Sequence, residues 1–163
     1  MRLRYFYLFI FSLFFFLISC TSSDFYHLYD NGIYSYQWPV NFTEVSIANN
    51  DIGFKDEGTG ILLTSKYSPA SLETLDPLYT EFKTSLLGIS GAQLLDSKSY
   101  TQDAKEIRKI VMTYPLEERV VKHTLFFIYS NNKIVMLALI GSLDKHDAQY
   151  EVLEHALSTL KIN

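Results

Sequence analysis

Few side chains in this 163-residue chain are suited to catalysis or metal binding, and their spacing decides what they can do. Cys20 is the only cysteine, so its thiolate is the one sulfur nucleophile and no intrachain disulfide can form. There are four histidines. His146 and His155 stand nine positions apart, about 180° around a helix, and so cannot face one ion together. His123 alternates with Val121, Leu125 and Phe127, the pattern of a half-buried strand residue, while His27 lies in a short polar segment near the start. There is no His-x-x-x-His pair and no thiol set, which disfavours a structural zinc. The expectation is no metal site, no cofactor and no catalytic residue.

Other polar patterns are better explained as turns. In Gly88-Ile89-Ser90-Gly91-Ala92 the helical pattern precedes the serine, whereas a nucleophile elbow needs a strand before it and a helix after. Gly58-Thr59-Gly60 follows Asp56-Glu57, whose carboxylates would repel a phosphate, and a strand pattern follows the loop. Glu117 and Glu118, between Pro115 and a strand pattern, fit a solvated hairpin turn, and neighbours on a strand would point to opposite faces.

Cys20 has a more informative setting. Arg2 and Arg4 are followed by residues 5–19 without a charge, an apolar stretch of about 15 residues that falls short of the ~20 needed to span a bilayer as a helix. A basic start, an apolar middle and a small residue before the break form an export signal. Leu17-Ile18-Ser19-Cys20 resembles the bacterial lipobox. That resemblance implies a diacylglyceryl group on the Cys20 sulfur, cleavage before Cys20, and acylation of the new amine by a chain such as palmitate. Several acyl chains at ~0.8 kcal/mol per buried CH₂ make a durable anchor. Thr21 stands where some bacteria place the aspartate that retains lipoproteins at the inner membrane. The localisation implied is the bacterial cell envelope, at the outer membrane or periplasmic face rather than the cytoplasm.

Loss of residues 1–19 removes Arg2 and Arg4 from 14 basic residues, leaving 12 against 18 acidic ones, net −6. An acidic domain is a poor match for nucleic acid or anionic lipid, so the expected membrane contact is the lipid on Cys20. Residues 20–31 are expected to be a tether whose second half, with Phe25, Tyr26 and Tyr29, docks on the domain. Residues 32–163 suit one domain.

Within it, residues 33–38 are rich in β-formers and Pro39 ends the ladder. Residues 52–55 and 61–67 form a hairpin pattern. Leu75, Leu78, Tyr79, Phe82 and Leu86 then share a helical face, with Asp76 expected as N-cap, Pro77 as first helical residue and Gly88 as the stop. Strand patterns follow at 92–100, 104–114, 119–129 and 134–140, the last two joined by Asn131-Asn132. The segments "TLFFIY" and "IVMLALI" are apolar on both faces, which predicts central strands covered on both sides. A closing helix starts at an Asp144 cap supported by Asp147. The fold class is α+β: an antiparallel sheet of about six strands packed against two main helices.

This order resembles the PsbP/Mog1-like domains, including the DcrB-type bacterial lipoproteins. The resemblance spans about residues 32–161 and rests on "YSYQWPVNF", "LETLDPLYTEFKTSLLG" with the strand after it, the meander from Lys109 to Gly141, and "DAQYEVLEHALSTLKI". The family more often has tryptophan where Phe42 stands. The resemblance implies a non-catalytic role, as an extrinsic subunit, an assembly helper or a binding partner of a larger complex. The leading expectation is a lipid-anchored envelope lipoprotein that binds another envelope protein and is not an enzyme. The alternative is an envelope carrier or sensor of a small apolar ligand. Tyr34, Tyr36, Trp38 and Phe42 would be a partner patch or, more simply, core under the tether.

Overall fold

The computed structural model describes residues 25–163. The signal peptide expected at 1–19 and the lipidation site Cys20 lie outside the described residues.

Two long strands, β8 (Arg119–Ser130) and β9 (Lys133–Ser142), hold the centre. They pair antiparallel across Asn131 and Asn132, at φ 51° and 57°, the left-handed pair that a tight hairpin requires. On the far side of β8 lie β7 (Lys105–Leu116) and then β6 (Gln93–Gln102). On the far side of β9 lie β5 (Leu62–Pro69), β4 (Ile52–Asp56) and β3 (Phe42–Val45), so the order is β3-β4-β5-β9-β8-β7-β6.

Side chains alternate between the two faces of this seven-stranded sheet, and each face has its own core. Leu125, Phe127, Met136, Ala138, Ile110 and Met112 face α1 (Leu72–Leu87). Phe126, Ile128, Val135, Leu137, Leu139 and Ile107 face the other way. There they meet Leu153 and Ala156 of the C-terminal helix and a second sheet of three strands: β1 (Tyr26–Asp30), β2 (Tyr34–Pro39) and β10 (Lys161–Ile162). The fold is α+β with both faces of the main sheet covered. It has more strands than the sequence pattern suggests, because β1, β3 and β10 are too short to display a period.

β1 lies inside the segment read as tether. It pairs along β2 from Tyr26 opposite Pro39 to Asp30 opposite Ser35, and Val40 N–H donates to the Phe25 carbonyl at 3.1 Å. The folded unit therefore starts ahead of Gly32.

Both helix starts differ from expectation. α1 begins at Leu72 after Ser71, so Pro77 sits inside it rather than at its first position. Thr74 explains how the early turn survives: its N–H and its hydroxyl both donate to the Ser71 carbonyl, at 3.0 and 2.7 Å, and fully buried Leu75 pins the turn to the sheet. Gly88 closes the helix as expected. After β9 comes a short α2 (Leu143–His146), then a 3₁₀ turn, Asp147–Gln149, then α3 (Tyr150–Thr159). Asp144 is not the cap. Ser142 precedes α2, and the Asp147 carboxylate accepts from Lys122 at 2.5 Å instead of holding the first turn.

Leu75 is the one fully buried side chain of α1, so it should carry much of that helix's attachment. Leu75→Ala is expected to cost about 2–5 kcal/mol by urea unfolding. A cost below ~1 kcal/mol would show that α1 is held elsewhere.

Candidate functional site

The polar patterns weighed in the sequence are structural. Asp56 organises its own loop, accepting from Gly58 N–H at 2.9 Å and from the Thr59 hydroxyl at 2.7 Å. Glu117, at φ 55°, and Glu118 occupy the β7–β8 turn and are exposed. Ser90 lies in the exposed turn after α1. Among the described residues, no three His, Cys, Asp or Glu side chains gather as a metal site would need.

The aromatic cluster is core. Tyr34 and Tyr36 are fully buried, Phe42 nearly so, and Trp38 stacks on Phe54 with ring centroids 4.0 Å apart. Their polar ends form one chain. The Tyr36 hydroxyl donates to Ser65 Oγ at 3.0 Å, Ser65 Oγ lies 2.8 Å from the Tyr34 hydroxyl, and Tyr34 donates to Asp51 Oδ2 at 3.0 Å. Burial pushes both tyrosine pKa values far above the ordinary phenol range, so the chain stays protonated. Phe25 remains largely exposed beyond the cluster.

The histidines are dispersed. His27 is exposed on β1, its ring tilted against Trp38. His155 stacks on Tyr26 at 3.7 Å and shares a 3.0 Å hydrogen bond with Gln37. His146 is fully buried, with Nε2 3.3 Å from the Leu139 carbonyl. His123 differs from these. Both of its ring nitrogens are shut away from solvent without a hydrogen-bond partner.

His123 also borders a cavity of about 420 Å³ on the α1 face of the sheet. Its floor is Leu125, Met136, Ala138 and Ile140, and Phe82 of α1 forms one wall. Asn49 and Asn50, from the loop between β3 and β4, stand opposite, and Lys66 of β5 is the one charged side chain of the lining. An apolar floor with a few polar groups at its margins is the layout of a small-molecule site. The alternation around His123 places it on a strand, but nothing in the sequence signals that a loop some seventy residues earlier walls a cavity beside it.

A second feature is an exposed edge. β6 is bonded on one side only and ends the seven-stranded sheet. It shows Leu94 and Leu95 at 38% and 52% exposure, and Leu87 and Ile89 lie exposed in the connection from α1. The ladder shifts register at Leu95, which bends the strand there.

No family model and no curated protein matches this sequence. Solved structures match over most of it. Cyanobacterial PsbP (CyanoP) from Synechocystis sp. PCC 6803 is similar at 12% identity and TM-score 0.62, over 85% of this chain and 92% of that one. LpqN of Mycobacterium tuberculosis, described as involved in cell envelope biogenesis, is similar at 11% identity and TM-score 0.63, over 85% and 90%. The Ran-binding protein Mog1p of Saccharomyces cerevisiae is similar at 11% identity and TM-score 0.57, over 84% and 95%. The likeness is one of fold, and the fold is PsbP/Mog1-like.

Burial, reinforced by the charge that His146 could carry, holds the His123 pKa down to about 4 from 6.5. Unfolding returns it to the ordinary range, so between those values the unfolded chain binds the extra proton. Stability should therefore be complete above about pH 6.5 and fall as pH drops toward 4, by on the order of 2–3 kcal/mol from this residue. His123→Leu should flatten that slope in urea unfolding across the same range, with buried His146 retaining part of it. An unchanged slope in the variant would assign the acid sensitivity to other groups.

Proposed function

We propose that this protein is a lipid-anchored lipoprotein of a bacterial cell envelope, and that its PsbP/Mog1-like domain docks on another envelope protein without catalysing a reaction. The anchor rests on Cys20, the only cysteine, placed where a signal-like apolar run ends. Among the described residues no helix is long and apolar enough to cross a membrane.

One observation carries the docking half: β6 presents an unpaired edge of ten residues next to exposed Leu94 and Leu95. A free edge invites either aggregation or a strand from a partner, and main-chain hydrogen bonds then supply affinity while side chains supply selectivity. Exposed leucines beside that edge give such a partner something to bury. Two proteins of this fold have names that accord with the proposal, LpqN for envelope biogenesis and Mog1p for binding Ran. A second reading, a carrier or sensor of a small apolar ligand, is favoured by the cavity at His123.

The test is crosslinking in intact cells followed by purification of the tagged protein, with Cys20→Ala and Leu95→Asp alongside. Wild type should fractionate with membranes and bring down one dominant partner. Cys20→Ala should move to the soluble fraction. Leu95→Asp should stay with the membrane and lose the partner by roughly tenfold, as a central interface residue does. Membrane retention of Cys20→Ala would end the lipid-anchor reading, and full partner recovery with Leu95→Asp would end the β6 reading.

A further inference from the structure

The cavity beside His123 has its chemistry arranged along a line. Ladder pairing sets Lys66 opposite Met136 and Met136 opposite Phe127, whereas His123 sits opposite Ile140. Lys66 and His123 are thus four residues apart along the strands, about 13 Å at ~3.3 Å per residue, and two strands apart across them at ~4.8 Å each, roughly 16 Å between backbones. Met136, Ala138, Leu125 and Ile140 supply the apolar floor between these two ends.

The Lys66 end favours an anion. No lining residue is acidic, and Lys66 takes part in none of the ion pairs among the described residues. Asn49 adds an amide donor at the same margin, and Asn50, whose Nδ2 donates to the Ala48 carbonyl at 3.4 Å, keeps a second N–H; Asp51, the next residue, bonds through its N–H to the carbonyl of Ser65 beside Lys66. The His123 end calls for a neutral hydrogen-bonding group. The imidazole borders the cavity while both nitrogens lack partners and exposure, so the edge it shows is carbon. A half-turn of the ring about Cβ–Cγ exchanges nitrogens for carbons in the same space and turns a nitrogen toward the cavity. A hydroxyl there can donate to or accept from that nitrogen.

We propose that this cavity binds an elongated amphiphile bearing a carboxylate at the Lys66 end and a hydroxyl near the other, in chemical class a medium-chain hydroxy acid. The proposal rests on the carrier-or-sensor reading of the site and makes no use of the β6 edge. Lys66 and His123 both line the cavity, and the Lys66 head rides on a flexible four-carbon stem, so a chain of about ten carbons spans what remains of that separation; 420 Å³ lies within the range of small-molecule sites.

The experiment is calorimetric titration of the purified protein with 10-hydroxydecanoate, decanoate and decan-1-ol, with imidazole ¹⁵N shifts of His123 recorded in parallel. 10-Hydroxydecanoate should bind roughly tenfold tighter than either of the others, a difference of one good hydrogen bond or ion contact. Its binding should move the His123 ring resonances, and decanoate should not. Lys66→Gln should weaken both acids and leave the alcohol unchanged. His123→Leu should erase the preference for the hydroxy acid while decanoate still binds, which also shows that the variant folds. Equal binding of both acids to wild type, with no change at His123, would overturn the hydroxy-acid proposal and leave the carrier reading standing. Absence of binding by all three would overturn both.

Discussion

The architecture follows from one constraint: β8 and β9 are apolar on both faces. A two-sided apolar strand pair cannot lie on a surface, so the chain must supply a cover for each side. α1 supplies one, and α3 with the small three-stranded sheet supplies the other. The covers are unequal. Tyr34, Tyr36, Leu153, Ala156, Leu160 and Ile162 are all buried in the second. In the first, only Leu75 of α1 is buried. A helix is about 10 Å across with its side chains, whereas seven strands at ~4.8 Å span about 30 Å, so one helix leaves floor uncovered. The cavity at His123 is that uncovered floor.

The tighter cover carries a polar burden and resolves it internally. Two tyrosine hydroxyls enter the core from β2, and each would destabilise the fold by about 1–3 kcal/mol if left without a partner. Ser65, on β5, sits between them, and Asp51 ends the chain while also accepting from Tyr67 N–H at 2.6 Å. The hydrogen bonds run from the small sheet to the large one, so they fix how the two layers register as well as satisfying the hydroxyls. α3 is joined in the same way, through Gln37 N–H donating to Thr159 Oγ at 3.0 Å.

Much of this was legible in the sequence where an element was long. β7, β8, β9 and the Asn131-Asn132 turn follow directly from apolar alternation and from residues that tolerate positive φ. The order of elements, and with it the resemblance to PsbP/Mog1-like domains, was legible for the same reason. β1, β3 and β10 were not: they are short, β3 and β10 lack a glycine turn signal such as the Gly58-Thr59-Gly60 loop that marks five-residue β4, and β10 pairs with a strand distant in sequence, as Ile162 does with Tyr34. Pro77 misled through a sound local rule, because tertiary burial of Leu75 holds a turn that propensity alone would end. Of the candidate site, His123 could be placed on a strand, but its setting between Met112 of β7 and Ile140 of β9, with both nitrogens unpartnered, exists only in the assembled sheet.

The placement of β1 has a mechanical side. Tension drawn through the N-terminal side of the chain arrives first at Phe25 and Tyr26, at one end of a five-residue edge strand in the small sheet. Five residues of pairing would then bear the load, and they would open in sequence from the Tyr26–Pro39 end toward Asp30 and Ser35. β2 is the more firmly tied strand, because β10 pairs with it and the Tyr34 and Tyr36 hydroxyls bind it to Ser65 of the seven-stranded sheet. β1 is therefore the element such a pull would open first, ahead of the strands that carry the cavity and the β6 edge.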